Sequence, residues 1–247
     1  MAVIRHPDSW IDLPQLGTKR AYRPTYSESL SLGPTHRRLL EAPLKPDSVA
    51  IDIGIPDSLR REDAAKLYEL VYFGQGNVLV LGAGHGLAMA ICAQALSDVN
   101  RTGSVLGVDH DPRMIAKARA NLARYGFESK VELVQAVPGP YCRSLAAEGR
   151  RFNVIFVDHS PTYADVLAIC GLLPSLASED GFVLFHDFND RRNKDLATGG
   201  YGVYAGVNDG LPVPPFAFFG VYGCTGLYRH GSPSDSPDTL ESKPFLA

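Results

Sequence analysis

The absences in this sequence narrow it first. No uninterrupted apolar stretch is long enough to span a bilayer. Residues 1–10 hold Arg5, His6, Pro7 and Asp8 and no apolar h-region, so no secretory signal peptide is expected. An excess of positive charge is missing as well. The 24 Lys and Arg against 27 Asp and Glu leave a formal charge of -3, which removes the broad basic footprint of a nucleic-acid binder. The pairs Arg37-Arg38, Arg60-Arg61, Arg150-Arg151 and Arg191-Arg192 are scattered and read as solvated surface charge. Cysteine is sparse: Cys92, Cys142, Cys170 and Cys224 form no C-x-x-C pair. Cys92 and Cys170 sit inside apolar runs, as buried thiols do, which points away from disulfides and towards a reducing, cytoplasmic compartment. What remains is ordinary globular composition. With 45% hydrophobic residues among 247, the chain can bury the core of one large domain or of two small ones.

Residues 1–48 carry Pro, Ser, Thr and Arg with little periodicity, and read as an irregular arm with one short helix near 36–41. The arm is either a lid over a cleft or a loosely ordered terminus. Residues 231–247, rich in Ser, Pro and Asp, read as a solvated tail. The domain between them, 49–230, alternates strand and helix. Apolar runs at 77–81, 104–108, 130–134, 152–157 and 181–185 read as buried strands. Helical spacing covers 60–73, 87–96, 112–125, 140–148, 163–176 and 202–209. Two further strands, 216–222 and 225–229, are joined by a turn too short for a crossover and must be antiparallel. The expected fold is therefore α/β: a doubly wound, mainly parallel seven-stranded sheet closed by an antiparallel hairpin. In such a sheet the site lies beyond the carboxyl ends of the strands, where their order reverses.

At the end of the first strand stands Gly82-Ala83-Gly84-His85-Gly86, followed by a helix, a second strand and Asp109 at that strand's end. Glycines there let the backbone turn sharply and approach a ligand, and a carboxylate at the second strand's end can accept both hydroxyls of a ribose. A dinucleotide and S-adenosylmethionine both suit this geometry. The dinucleotide fingerprint requires a third glycine where this chain has Leu87, which weakens the pyrophosphate reading.

The run Asn77-Val78-Leu79-Val80-Leu81-Gly82-Ala83-Gly84-His85-Gly86 resembles the first motif of class I S-adenosylmethionine-dependent methyltransferases. Val105-Leu106-Gly107-Val108-Asp109 resembles the second, and residues 152–158 and 181–187 resemble the family's fourth and fifth strands. The stretch from Val221 to Leu227 resembles its closing hairpin. The resemblance implies a Rossmann-like methyltransferase fold with S-adenosylmethionine as cofactor. It places Gly82, Ala83, Gly84 and Gly86 under the methionine and ribose, Asp109 on the ribose diol, His110 beside the adenine, and Gln135 and Ala136 at the adenine edge. The acidic residue that the family often carries two positions before the first glycine is Val80 here.

Asp158 ends the fourth strand and Asp187 the fifth. Two carboxylates at neighbouring strand ends repel unless something positive lies between them, and a divalent cation is the simplest such partner. A cation there could lower the pKa of a substrate hydroxyl and orient it for in-line methyl transfer. The stretches Val157-Asp158-His159-Ser160-Pro161-Thr162-Tyr163 and Phe185-His186-Asp187-Phe188 resemble the metal-dependent O-methyltransferases of catechol, sugar and antibiotic type. That resemblance implies metal ligation by Asp158 and Asp187, with magnesium or manganese as the ion; the group's third ligand varies, Phe188 stands where the catechol type has Asn, and His186, where antibiotic-type relatives have an acid, can itself ligate a metal, which favours manganese. Where the catechol type has a catalytic Lys this chain has Pro161, so His159 and His186 are the candidate general bases, with Asp158 as a further catalytic carboxylate. His85 reads as a loop residue.

The connection 190–215, holding Tyr201, Tyr204, Asn208 and Asp209, is long enough to select a substrate. Phe216, Phe218 and Phe219 read as core. The Asp/Asn-Pro-Pro-aromatic sequence of base N-methylating enzymes is absent from residues 158–161. The leading expectation is metal-assisted methylation of a small-molecule hydroxyl, with no nucleic-acid or membrane partner. A homo-oligomer is compatible with the sequence. Two other expectations are an NAD-dependent oxidoreductase and a non-catalytic cofactor-binding or scaffold protein of the same fold. NADH titration tests the first, and binding without turnover marks the second.

Overall fold

The structure, a computed structural model, describes residues 33–74, 76–100, 102–194 and 200–231. Most of the N-terminal arm, and with it the lid expectation, lies outside the described residues, as does residue 232 onward of the tail.

Seven strands form one sheet: β1 (Val78–Leu81), β2 (Val105–Asp109), β3 (Val131–Gln135), β4 (Phe152–Val157), β5 (Ala177–Phe185), β6 (Phe216–Tyr222) and β7 (Thr225–His230). Their order is β3-β2-β1-β4-β5-β7-β6. The first five strands run parallel, and β7 pairs antiparallel with both β5 and β6. The doubly wound sheet and its closing hairpin are as the alternation of apolar runs implies.

Side-chain alternation divides the core in two. Val78, Val80, Val154, Phe156 and Leu184 face one layer, built from α1 (Gly33–Leu40), α2 (Arg61–Gly74), α3 (Leu87–Asp98) and α4 (Pro112–Arg124). Leu79, Leu81, Ile155, Val157 and Val183 face the other, built from α5 (Pro138–Ala147), α6 (Tyr163–Cys170), α7 (Leu173–Leu176) and α8 (Val203–Gly210). Both faces of the strands are covered, which is why they read as continuous apolar runs.

Three expectations change. The single helix over 163–176 is two, because Gly171 ends the first at its C-cap and Pro174 occupies the opening turn of the second. The strand expected at 181–185 begins at Ala177, bending where Asp180 adopts φ 62. The domain also starts earlier than residue 49: Leu39 and Ala42 are buried in the same core as Ile51, Ile55 and Leu59. Phe216 and Phe219 are buried, and all four cysteines are free and buried. No described helix is long and apolar enough to cross a membrane.

Candidate functional site

The chain turns outward from β1 through β2 to β3, then returns to place β4 on the other side of β1. The carboxyl ends of β1, β2, β4 and β5 therefore converge at a switch point. A cleft of about 240 Å3 opens there. It is lined by Gly82, Ala83, Gly84 and Ala88, by Asp109, His110, Asp111, Met114 and Pro138, and by Asp57, Asp158, His159 and Ser160.

The loop after β1 is shaped by necessity. Gly82 has φ 99, and a Cβ there would collide with the carbonyl oxygen of Asp158. Gly84 has φ 47 and opens towards the cleft; its nearest neighbour is the Oδ2 of Asp57, 3.7 Å from where a Cβ would stand. At Gly84 the bend is thus open. Asp109 is turned towards it: its Oδ2 accepts from the Ala83 amide at 2.8 Å and its Oδ1 from the Asp111 amide at 2.9 Å. A buried carboxylate held by two amides is rigid and keeps lone pairs for a ligand.

His110 is exposed at the rim. Gln135 and Ala136, expected at the adenine edge, do not line the cleft; Pro138, which opens α5, does. Gln135 pairs with Asp109 in the ladder, but its side chain is exposed on an edge strand. Gly86 and His85 also lie outside the lining. Gly86 backs onto Ala118 of α4. His85 Nδ1 donates to the Pro56 carbonyl at 2.9 Å, leaving Nε2 to accept from Lys117 at 3.2 Å, so this ring ties the loop down.

Asp158, His186 and Asp187 come together at the ends of β4 and β5. One potential ligand atom from each lies within 4.8 Å of the others. His186 Nδ1 donates to Asp158 Oδ1 at 2.8 Å and stands 3.7 Å from Asp187 Oδ1. The His186 side chain is 1% exposed, whereas that of Asp158 is 26% exposed and meets the cleft. Burial disfavours charge on His186, but the Asp158 carboxylate outweighs it and holds the imidazole well above its usual pKa. The positive charge that two neighbouring carboxylates require thus has one source inside the protein. Arg192 supplies another, 3.5 Å from Asp187 Oδ2.

The donor set, two carboxylates and one imidazole, also fits a borderline divalent cation such as manganese better than magnesium. Ligation by His186 would displace the proton now shared with Asp158. As a general base His186 is badly placed, because Asp158 stands between it and the cleft. His159 does line the cleft, and burial lowers its pKa, so the ring is neutral near pH 7. Its charged neighbours are Asp165, Asp109 and His110, which puts it on the nucleoside side.

Two residues passed over in the sequence belong here. Asp57 lines the cleft opposite Gly84. Asp63, fully buried, accepts from the amides of Cys224 and Thr225 and from the Thr225 hydroxyl, and lies 4.0 Å from His186 Nε2. Neither follows a strand, so the strand-end rule passes over both.

Residues 79–188 match the family model described as a methyltransferase domain. No curated protein matches the chain. Solved structures do. The O-methyltransferase from Bacillus cereus in complex with SAH is 18% identical, with TM-score 0.53 over 66% of this chain and 78% of that one. The O-methyltransferase TomG from Streptomyces achromogenes, involved in tomaymycin synthesis and in complex with SAM, is 17% identical, with TM-score 0.57 over 70% and 82%. The SAH-bound methyltransferase PaMTH1 from Podospora anserina is 16% identical, with TM-score 0.55 over 71% and 80%. At such identities the likeness is one of fold. Together these comparisons give residues 79–188 a match to a methyltransferase-domain model, on a fold shared with solved methyltransferases.

Proposed function

We propose that the protein transfers the methyl group of S-adenosylmethionine to a hydroxyl of a small molecule, assisted by a divalent cation, in the cytoplasm. The observation that carries the reading is the open glycine bend beside a fixed, cleft-facing Asp109. The names of the structural neighbours, O-methyltransferases bound to SAM or SAH, support the same cofactor and acceptor atom.

The cofactor supplies an electrophilic methyl group on a sulfonium. The chain does the positioning. Gly82 and Gly84 let the backbone pass beneath the ligand, and Asp109 accepts hydrogen bonds from the ribose hydroxyls. Met114 and Pro138 would offer the base an apolar surface, and His159 would border the nucleoside. A cation held by Asp158, His186 and Asp187 would supply a lowered hydroxyl pKa. The same carboxylates would help to orient the acceptor for in-line attack.

Calorimetry with S-adenosylhomocysteine tests the cofactor. We expect binding, weakened at least about tenfold by Asp109→Ala; no binding by the wild type overturns the reading. The cation is tested separately by exhaustive chelation against a panel of hydroxylated acceptors, where activity should fall and return with manganese. Undiminished turnover would remove the cation and leave His186 as the charge between the carboxylates.

A further inference from the structure

A cofactor with a methionine end brings an ammonium group, and the chain must receive it. The position that often carries an acid for this purpose in similar sequences is Val80, which is fully buried in the core and offers no charge. Asp57 stands across the same loop from outside the matched domain. Its Oδ2 is the atom nearest the open side of Gly84.

Three contacts fix Asp57 there. Its Oδ1 accepts from the Ser58 amide at 2.6 Å. Its own carbonyl accepts from Lys45 Nζ, and the preceding carbonyl, of Pro56, accepts from His85 Nδ1 at 2.9 Å. Lys45 therefore directs its ammonium to the backbone of Asp57. Among the described residues no basic side chain forms an ion pair with the Asp57 carboxylate.

Asp158 lines the same cleft near Asp57, and one of its oxygens is already taken by His186. Burial and the nearby Asp158 charge both make the ionised form of Asp57 costly. A small cation with several N–H donors, seated between the two carboxylates above Gly84, relieves both penalties.

We propose that Asp57, together with the free side of Asp158, binds the α-amino group of the cofactor's methionine moiety, taking over the task that Val80 cannot perform. The assignment rests on the cofactor reading above. It makes Asp57 a specificity residue: it distinguishes ligands with the amino acid arm from those with the thioadenosine alone.

The test is calorimetry with two probes, S-adenosylhomocysteine and 5′-methylthioadenosine, which lacks the amino acid arm. Asp57→Asn should weaken the first by about tenfold to a hundredfold and leave the second within about twofold. With wild-type protein, the analogue of S-adenosylhomocysteine lacking the α-amino group should lose the same factor, which needs no variant to fold. If the analogue binds as tightly as the parent, or if Asp57→Asn weakens both probes alike, the assignment is wrong although the cofactor reading stands. If wild-type protein binds neither probe, both fall together.

Discussion

Asp187 carries the largest conformational burden of any site residue. Its φ of 59 lies in the left-handed region, which side chains other than Asn, Asp and Gly enter at a cost. Asn193 holds the turn by donating to the carbonyls of Asp187, at 2.8 Å, and Asp190, at 3.0 Å. The twist turns the Asp187 carboxylate back to within 3.7 Å of His186 Nδ1. Asp187→Asn should therefore keep the backbone and remove only the charge. We expect its unfolding free energy within about 0.5 kcal/mol of wild type, while the rise in melting temperature produced by manganese disappears. Gly82 poses the opposite problem. Gly82→Ala puts a methyl group into the Asp158 carbonyl and strains φ 99. It should cost roughly 2 kcal/mol or more in urea unfolding and abolish S-adenosylhomocysteine binding. Gly82, Gly84, Asp109, Asp158, His186 and Asp187 were legible because each follows a strand at a chemically meaningful place. Asp57 and Asp63 were not: they come from the segments leading into and opening α2, and only folding brings them to the cleft and to His186.

Among the elements, α2 ties the molecule together. It lies against the sheet and carries Asp63 in its first turn. That carboxylate receives the tip of the β6–β7 hairpin through Cys224 and Thr225, more than a hundred and sixty residues away in sequence. One turn further on, Lys66 and Glu69 form a fully buried pair at 2.7 Å, with the Lys66 ammonium 4.0 Å from the centre of the Tyr222 ring. The hairpin is thereby fixed to the helix by polar contacts that burial makes costly to break. Asp63→Ala strands several buried donors at once and should cost roughly 3 kcal/mol in chemical unfolding. Hydrogen exchange should show β6 and β7 losing protection first. The connection 190–215, expected as a substrate-selecting loop, is partly folded: α8 packs on α6, and Tyr201 lies under Arg192 at 4.1 Å beside Asp187. The helical periodicity of 202–209 was readable; the place of α8 against α6 was not, because it depends on Gly206 and Gly210 fitting closely against Val166 and Leu167.

At the scale of the whole molecule, acid should loosen the protein through His36. This ring is buried between α1 and α2, and burial together with the Lys66 charge lowers its pKa from 6.5 to about 4. The unfolded chain takes up the proton near pH 6.5, whereas the folded one resists until about pH 4. Stability is thus complete above 6.5 and declines as pH falls towards 4, by at most about 1.4 kcal/mol per pH unit. Urea midpoints measured from pH 7 to 4 should show this slope, and His36→Gln should flatten it; an unchanged slope in the variant would assign the acid sensitivity elsewhere.

By itself, the order of apolar runs and glycines determined the doubly wound sheet, the end of it that carries the site, and most of the residues at the strand ends. Those features are local, since a strand's period, a turn's need for glycine and a carboxylate's place after a strand are all written in neighbouring residues. Tertiary structure alone decided that His186 lies buried between Asp158 and Asp187, and that Asp57 faces Gly84. Each of these depends on segments distant in sequence meeting in space, and no local pattern encodes such a meeting.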